Sequence, residues 1–204
     1  MEWKMQHYRP KVFFIGLNKT ATTSFHKLFL SNGYKSFHHS TRINRKKIYL
    51  GETIKHNLEE NKKLLSGLED YDVYSEFCFA TDKIFYEGSE NFNILDKQYP
   101  NSYFILQTRN EKDWINSRFN HKSVNAEDFY LRAQKALNLD EPGLKNYWLE
   151  NRKTLHKKIR HYFENRNNFI EYNIDKENIE KVTTFLKNYY DIDIKFWKKH
   201  NATT

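Results

Sequence analysis

Near the start of the chain, a lysine and several small hydroxyl residues stand between two apolar segments, in FIGLNKTATTSFHKLF at 14–29. The central turn contains Gly16, Lys19, Thr20, Ala21, Thr22, Thr23 and Ser24. Between a strand and a helix, such residues would surround a helix N-terminus, whose unpaired N–H groups and positive dipole end attract anions. The stretch therefore predicts a cradle for phosphate or a related anion. A plain strand–helix turn with hydroxyl caps is the simpler alternative.

This turn differs from the loop that binds nucleoside triphosphates, which reads G-x-x-x-x-G-K-[ST]. Lys19 follows Gly16 after two intervening residues, and Ala21 or Thr22 occupies the position of the second glycine. The later sequence contains no clear strand that ends in a magnesium-binding aspartate. A nucleotide or small-molecule kinase that needs Mg²⁺ therefore stays an alternative interpretation.

The elements that must position this turn are indicated by the apolar pattern. Short apolar runs predict strands at 11–17, 35–39, 71–77, 101–109 and 168–174. Amphipathic stretches predict helices at 22–32, 79–88, 90–98, 111–119, 143–165 and 178–190. This alternation is typical of an α/β fold with a parallel sheet. Ligands of such sheets bind beyond the carboxyl ends of the strands, where we expect the turn, Arg109 and Glu76.

Length and composition limit the classes of protein that the chain can represent. Its 204 residues predict a single domain over 1–204. A net charge of +8 favours anionic ligands without choosing among them. A single cysteine, Cys78, excludes an internal disulfide and a zinc site of several thiolates. The apolar run VFFIGL is too short to span a bilayer, and no signal-peptide core precedes it, so we expect a soluble, cytoplasmic protein.

The stretch FIGLNKTATTSFHKLF resembles the 5′-phosphosulfate-binding loop of sulfotransferases that use 3′-phosphoadenylyl sulfate (PAPS). That loop typically reads apolar-x-G-x-x-K-[ST]-G-T-[ST]-S-L. The matching positions are Lys19, Thr20, Thr22, Thr23 and Ser24. Ala21 replaces the usual glycine, and alanine disfavours a positive φ. A catalytically degenerate protein that binds the nucleotide without turnover is therefore a further alternative.

A second stretch, YFILQTRNEKDWINSRF at 103–119, resembles the other nucleotide motif of this family, a strand ending in arginine followed by a serine on the next helix. The resemblance implies that the guanidinium of Arg109 and the hydroxyl of Ser117 bind the 3′-phosphate. The likeness covers most of 11–190. It implies the P-loop NTPase-like sulfotransferase fold, a three-layer arrangement of a parallel sheet between helices.

The resemblance also implies a reaction, the transfer of a sulfuryl group from PAPS to a hydroxyl or amine, with adenosine 3′,5′-bisphosphate as the product. Lys19 is then expected at the bridging oxygen and the leaving phosphate, and the amides and hydroxyls of 22–24 at the 5′-phosphosulfate. Glu76 is the first choice for the base that activates the acceptor, and His38 and His39 are the alternatives. No metal is expected, because a sulfuryl group carries less charge than a γ-phosphoryl group.

The expected acceptor is a small molecule or a glycan, bound by mobile loops at 40–66 and 120–142. The basic run RINRKK at 42–47 is interpreted as a solvated face, with an acidic acceptor such as a glycan as its alternative ligand. His121 is a candidate for a substrate contact. No nucleic acid is expected as a partner. A basic module that binds RNA or polyanions is the non-enzymatic alternative, and it leaves the paired motifs unexplained.

Overall fold

The computed structural model describes residues 9–122 and 127–198. Its strands are β1 (Val12–Phe14), β2 (Ser36–His38), β3 (Ser40–Ile43), β4 (Lys46–Tyr49), β5 (Val73–Ser75), β6 (Cys78–Ala80), β7 (Phe85–Glu87), β8 (Tyr103–Thr108) and β9 (Phe169–Asn173). Its α-helices are α1 (Thr22–Ser31), α2 (Leu50–Glu59), α3 (Phe92–Gln98), α4 (Glu111–Phe119), α5 (Phe129–Leu137), α6 (Glu141–Tyr162) and α7 (Glu180–Leu186). Short 3-10 helices cover Gly88–Asn91 and Ile194–Phe196.

A five-stranded sheet in the order β2-β5-β1-β8-β9 forms the centre of the fold. Each neighbouring pair in this order is parallel. Val12 of β1 lies opposite Val73 of β5 on one side and opposite Tyr103 of β8 on the other. The predicted α/β fold with a parallel sheet is confirmed. The order places the carboxyl end of β1 between those of β5 and β8.

Both faces of the sheet are buried, which gives the predicted three layers. Phe13 and Ile15 belong to one hydrophobic cluster, which also includes Trp114 of α4 and Trp148 of α6. Val12 and Phe14 belong to a second cluster together with residues of α1 and α7. Successive side chains of a strand point to opposite faces, so the continuous apolar run of β1 supplies both cores.

The helix predicted at 79–88 is wrong, because this stretch belongs to an antiparallel hairpin of β6 and β7. Phe79 pairs with Tyr86, and Ala80 pairs with Phe85. The hydroxyl of Thr81 accepts hydrogen bonds from the backbone N–H groups of residues 83 and 84, at 3.2 and 3.0 Å. Phe79 and Tyr86 are seven residues apart, a spacing that also fits one face of a helix.

The two stretches expected to be acceptor loops contain much regular structure. Within 40–66, β3 and β4 form a hairpin, and α2 follows it directly. Asn44 and Arg45 join the two strands with φ angles of 49° and 65°, as a two-residue hairpin turn requires. Within 120–142, α5 occupies most of the second half, whereas 123–126 lie outside the described residues. The termini 1–8 and 199–204 of the predicted single domain also lie outside them.

Across 9–122 and 127–198, no helix combines the length and the apolar character that crossing a bilayer requires.

Candidate active site

The turn between β1 and α1 contains two residues with left-handed backbone angles. Lys19 and Ala21 both have positive φ angles, 67° and 64°, whereas Thr20 between them does not. Left-handed residues in a turn ahead of a helix can direct backbone N–H groups toward one point, as in a backbone nest. The carbonyl of Ala21 accepts hydrogen bonds from the N–H groups of Ser24 and Phe25 at 2.9 and 3.1 Å and so starts α1. Ala21 therefore adopts a conformation that glycine would adopt at lower cost.

Gly16 and Thr20 shape this turn through contacts with neighbouring residues. The N–H of Gly16 donates to Oε1 of Gln107 at 2.8 Å, and a Cβ at Gly16 would collide with the carbonyl oxygen of Gln107. The hydroxyl of Thr20 donates to the carbonyl of Leu17 at 2.5 Å. Neither Gly16 nor Thr20 is among the described residues that line the cavity in front of the turn. The close approach of β8 explains the glycine, and the Thr20 hydroxyl is used within the loop.

A cavity of about 640 Å³ lies beyond the carboxyl ends of the parallel strands. It brings together most of the predicted site residues, namely Lys19, Ala21, Thr22, Thr23, Ser24, His38, Glu76, Arg109 and Ser117. His39 and His121, the weaker candidates, line it as well. Residues from two distant motifs therefore face one space.

The order of the strands distributes these residues across the cavity. Lys19 follows the central strand β1, Arg109 follows β8, and Glu76 follows β5 on the opposite side of β1. Nη1 of Arg109 donates to the carbonyl of Lys19 at 3.3 Å. Nε of Arg109 is buried without a hydrogen-bond partner among the described residues. A buried guanidinium donor without a partner is costly, and an anion beside it would satisfy it.

Glu76, Thr22 and His38 form a hydrogen-bonded group at the β5 side of the turn. The hydroxyl of Thr22 donates to Oε2 of Glu76 at 2.6 Å, and Nε2 of His38 lies 3.2 Å from the same hydroxyl oxygen. Since the single hydroxyl proton goes to Glu76, His38 bonds to this oxygen only as a donor, which assigns the proton to its Nε2. Glu76 itself has a φ of 64°, a strained backbone angle of the kind that concentrates at functional sites.

Burial and neighbouring charges set the protonation of this group. Burial works to raise the pKa of Glu76, but His38, His39 and the hydrogen bond from Thr22 outweigh it, and the pKa is lowered overall. Burial lowers the pKa of His38, with Glu76 opposing the shift. The lowered pKa of Glu76 favours its ionised form. Burial also lowers the pKa of Lys19.

A second set of contacts, which the sequence did not reveal, holds the turn from the α4 side. Nε of Arg118 donates to Oδ1 of Asn18 at 2.6 Å, and the indole N–H of Trp114 donates to the carbonyl of Asn18 at 2.9 Å. Arg118 also forms a buried ion pair with Glu87 of β7. Arg118 stands next to Ser117 in the sequence, but no local pattern connects it with positions 18 and 87.

Within 9–122 and 127–198, no cluster of three or more His, Cys, Asp or Glu side chains has a geometry that would hold a metal ion.

A family model described as a sulfotransferase domain matches residues 11–193, a range that contains the stretches 14–29 and 103–119 and every strand of the five-stranded sheet. No curated protein matches the chain. The matched range covers most of the sequence, and the chain therefore belongs to the sulfotransferase domain family.

Proposed function

We propose that this protein transfers a sulfuryl group from PAPS to a hydroxyl or amine of a small-molecule or glycan acceptor. The observation that carries the proposal is the common cavity of Lys19, Arg109 and Glu76, which follow three adjacent strands of the sheet. A donor with two anionic ends needs two cationic positions, and an acceptor needs a base on the other side of the reacting group.

The donor half of the cavity fits a nucleotide that carries phosphates at both ends. The nest at Lys19 and Ala21 offers N–H groups to the 5′-phosphosulfate. Arg109, whose buried Nε lacks a partner among the described residues, and Ser117 of α4 offer donors to the 3′-phosphate. Thr23 lines the same space. The hydroxyl of Thr22, in contrast, is engaged with Glu76.

The residues of the turn supply charge stabilisation, and Glu76 supplies the base. In the transfer, a bond forms between the acceptor oxygen and sulfur, and the bond between sulfur and the bridging oxygen breaks, with adenosine 3′,5′-bisphosphate leaving. The acceptor proton goes to the ionised carboxylate of Glu76. The ammonium of Lys19 stabilises the negative charge that develops on the leaving phosphate. The carboxylate that accepts the proton and the ammonium that stabilises the leaving phosphate thus both line the cavity before the reaction begins.

A thermal-shift comparison of adenosine 3′,5′-bisphosphate with AMP and with ATP–Mg²⁺ tests the nucleotide assignment. A ligand at about 100 times its Kd stabilises the native state by about 2.7 kcal/mol, and for a chain of this size that raises Tm by roughly 5–10 °C. We expect this shift for the bisphosphate and a much smaller one for AMP. Lys19→Ala and Arg109→Ala should each reduce it.

The comparison also separates the rival functions. An equal response to all three nucleotides would contradict the assignment of the 3′-phosphate to Arg109 and Ser117. A response to ATP–Mg²⁺ alone would favour the kinase. If the bisphosphate stabilises the protein but labelled PAPS donates to no acceptor in a broad screen, the degenerate nucleotide-binding protein becomes the better description.

A further inference from the structure

The cavity continues past Glu76 into a region that the nucleotide does not need. This region, here called the acceptor half, is lined by His39, Lys47, Tyr49, Phe79 and Arg132. It lies at the β2–β5 side of the sheet, where β2 is three strand spacings, roughly 14 Å, from β8. Lys47 lies on the hairpin that follows β2, whereas Arg109, which is proposed to bind the 3′-phosphate, follows β8.

One wall of the acceptor half is a continuous row of rings. His39 and Tyr49 meet with ring centroids 5.3 Å apart, and Tyr49 and Phe79 meet at 5.4 Å. The ammonium of Lys47 lies 4.7 Å from the centroid of the Tyr49 ring. This contact holds a positive charge directly against an apolar surface.

The acceptor half is positively charged. In the described part of the chain, Lys47 forms no ion pair. Arg132 reaches the region from α5, where its Nη1 donates to the carbonyl of Ala80 at 2.6 Å. The acidic groups in the cavity lining are Glu76, which the proposed reaction uses, and Asp175, which lies after β9 at the far side.

The imidazoles of His39 and His121 lie among these charges. Burial is the main reason for the lowered pKa of His39; Glu76, the largest charge effect, opposes the shift, and Lys47 and Arg132 lower the pKa further. His121, across the cavity, has a pKa lowered by burial and by Lys19, with Glu76 opposing. Lys122 beside it is paired with Asp128 at 2.6 Å. A second negative charge, besides that of Glu76, would therefore be favoured in the acceptor half.

We infer that the acceptor is an anion, which carries a carboxylate, sulfate or phosphate group on the same molecule as the hydroxyl that is sulfated. The anionic group lies at Lys47 and Arg132, and the ring that bears it packs against Tyr49 and Phe79. This placement directs the hydroxyl toward Glu76. The inference rests on the proposed function in that it calls the bound anion the acceptor of the sulfuryl group. The preference of the cavity for an anion does not depend on that function.

Direct binding of charge-matched probes tests the inference without any turnover. The aromatic pair is para-hydroxybenzoate and the neutral para-hydroxybenzamide, and the sugar pair is methyl glucuronide and methyl glucoside. Binding to the full chain is measured by NMR titration. We expect the anion of at least one pair to bind about fivefold or more tightly than its neutral partner, as two partly exposed cations would produce. The pair that shows the larger preference identifies the ring as aromatic or sugar.

The hairpin of β3 and β4 provides a matched pair of variants. Lys46 and Lys47 are adjacent exposed residues of β4, but only Lys47 is among the residues that line the cavity. Lys47→Glu should remove the preference for the anion, and Lys46→Glu should leave it unchanged. Both variants alter the net charge equally, so a general effect of charge would affect them alike. Equal melting temperatures establish that both remain folded.

The outcomes separate this inference from the proposed function. Equal binding within both pairs, no binding of any probe, or the same loss in both variants would overturn the anionic acceptor, whatever the nucleotide result. A preference for the anion that depends on Lys47, together with no response to adenosine 3′,5′-bisphosphate, would support the acceptor half and reject the sulfotransferase assignment of the donor half.

Discussion

The hydroxyl of Thr22 donates a hydrogen bond of 2.6 Å to Oε2 of Glu76. Thr22 is the first residue of α1, and Glu76 follows β5, so the contact connects the proposed phosphate-binding turn with the proposed base. It orients the carboxylate toward the cavity and favours its ionised form. One residue of the turn thus acts on the acceptor side of the site, which the motif by itself did not indicate.

The first prediction concerns this hydroxyl. Thr22→Val removes the donor with little change of shape, and we expect kcat/KM to fall by about tenfold, since a hydrogen bond to a charged group contributes about 1.5–3 kcal/mol. The pKa of Glu76 should rise, because its ionised form loses a donor, so the acidic limb of the pH–rate profile should move to higher pH. Thr22→Ser keeps the hydroxyl and should restore both. An unchanged acidic limb in Thr22→Val would show that the hydroxyl does not control the carboxylate.

The choice of the base gives a second prediction. Glu76→Gln keeps the size of the side chain but cannot accept a proton, and we expect transfer to fall about 100-fold or more. His38→Gln should cost about tenfold or less, because Nε2 of His38 already donates to Thr22. Binding of adenosine 3′,5′-bisphosphate should stay nearly unchanged in both variants. The opposite ranking of the two variants would assign the base to His38.

Ala21 gives a third prediction, which concerns stability. Its φ of 64° places a non-glycine residue in the left-handed region, at a cost of roughly 1–2 kcal/mol. Ala21→Gly removes this cost but makes the unfolded chain more flexible by about 0.4–1 kcal/mol. We expect a net gain of about 0.5 kcal/mol in the free energy of unfolding, measured by urea denaturation, and tighter binding of the bisphosphate.

Ala21→Val provides the contrast for this prediction. A β-branched residue is a genuine outlier at a positive φ, so this variant should be less stable than the wild type. If Gly and Val at this position gave equal stabilities, the left-handed conformation would not control the turn.

The fourth prediction concerns the buried ion pair of Arg118 and Glu87. Arg118 lies between Trp114 and Trp148, with each ring centroid 4.7 Å from its guanidinium carbon. Arg118→Met leaves the carboxylate of Glu87 buried without its partner, and we expect a loss of about 3–5 kcal/mol in the free energy of unfolding. Replacing both residues by Met should recover much of this loss, because the buried charge is then absent.

This ion pair also predicts a dependence on pH. Burial raises the pKa of Glu87, and Arg118 opposes the shift. Without Arg118, the pKa of Glu87 in the folded state rises further above that of the unfolded chain. The folded state then binds the proton more tightly, so the stability of Arg118→Met should fall as the pH rises above the ordinary range of a glutamate. A deficit relative to the wild type that is equal at acidic and neutral pH would contradict this account.

The elements around the site could be predicted because their signals are local. The apolar run before Gly16 and the hydroxyl residues after Lys19 predicted a strand, a turn and a helix, and the structure has β1 and α1 at these positions. The helix predicted at 111–119 has the observed bounds Glu111–Phe119. The hairpin of β6 and β7 was missed, because its aromatic residues also fit a helical spacing and only the pairing of the two strands distinguishes them.

The sequence by itself determined the alternation of strands and helices, the basic character of the chain and the two stretches that carry the proposed nucleotide-binding residues. Only the tertiary structure decided which side chains meet: Thr22 and Glu76 are 54 residues apart along the chain, and Asn18 and Arg118 are 100 apart. Periodicity and turn chemistry act over a few neighbouring residues, so they specify the elements. The order of the strands in the sheet brings their carboxyl ends together, and that order follows from how all the elements bury their apolar faces at once.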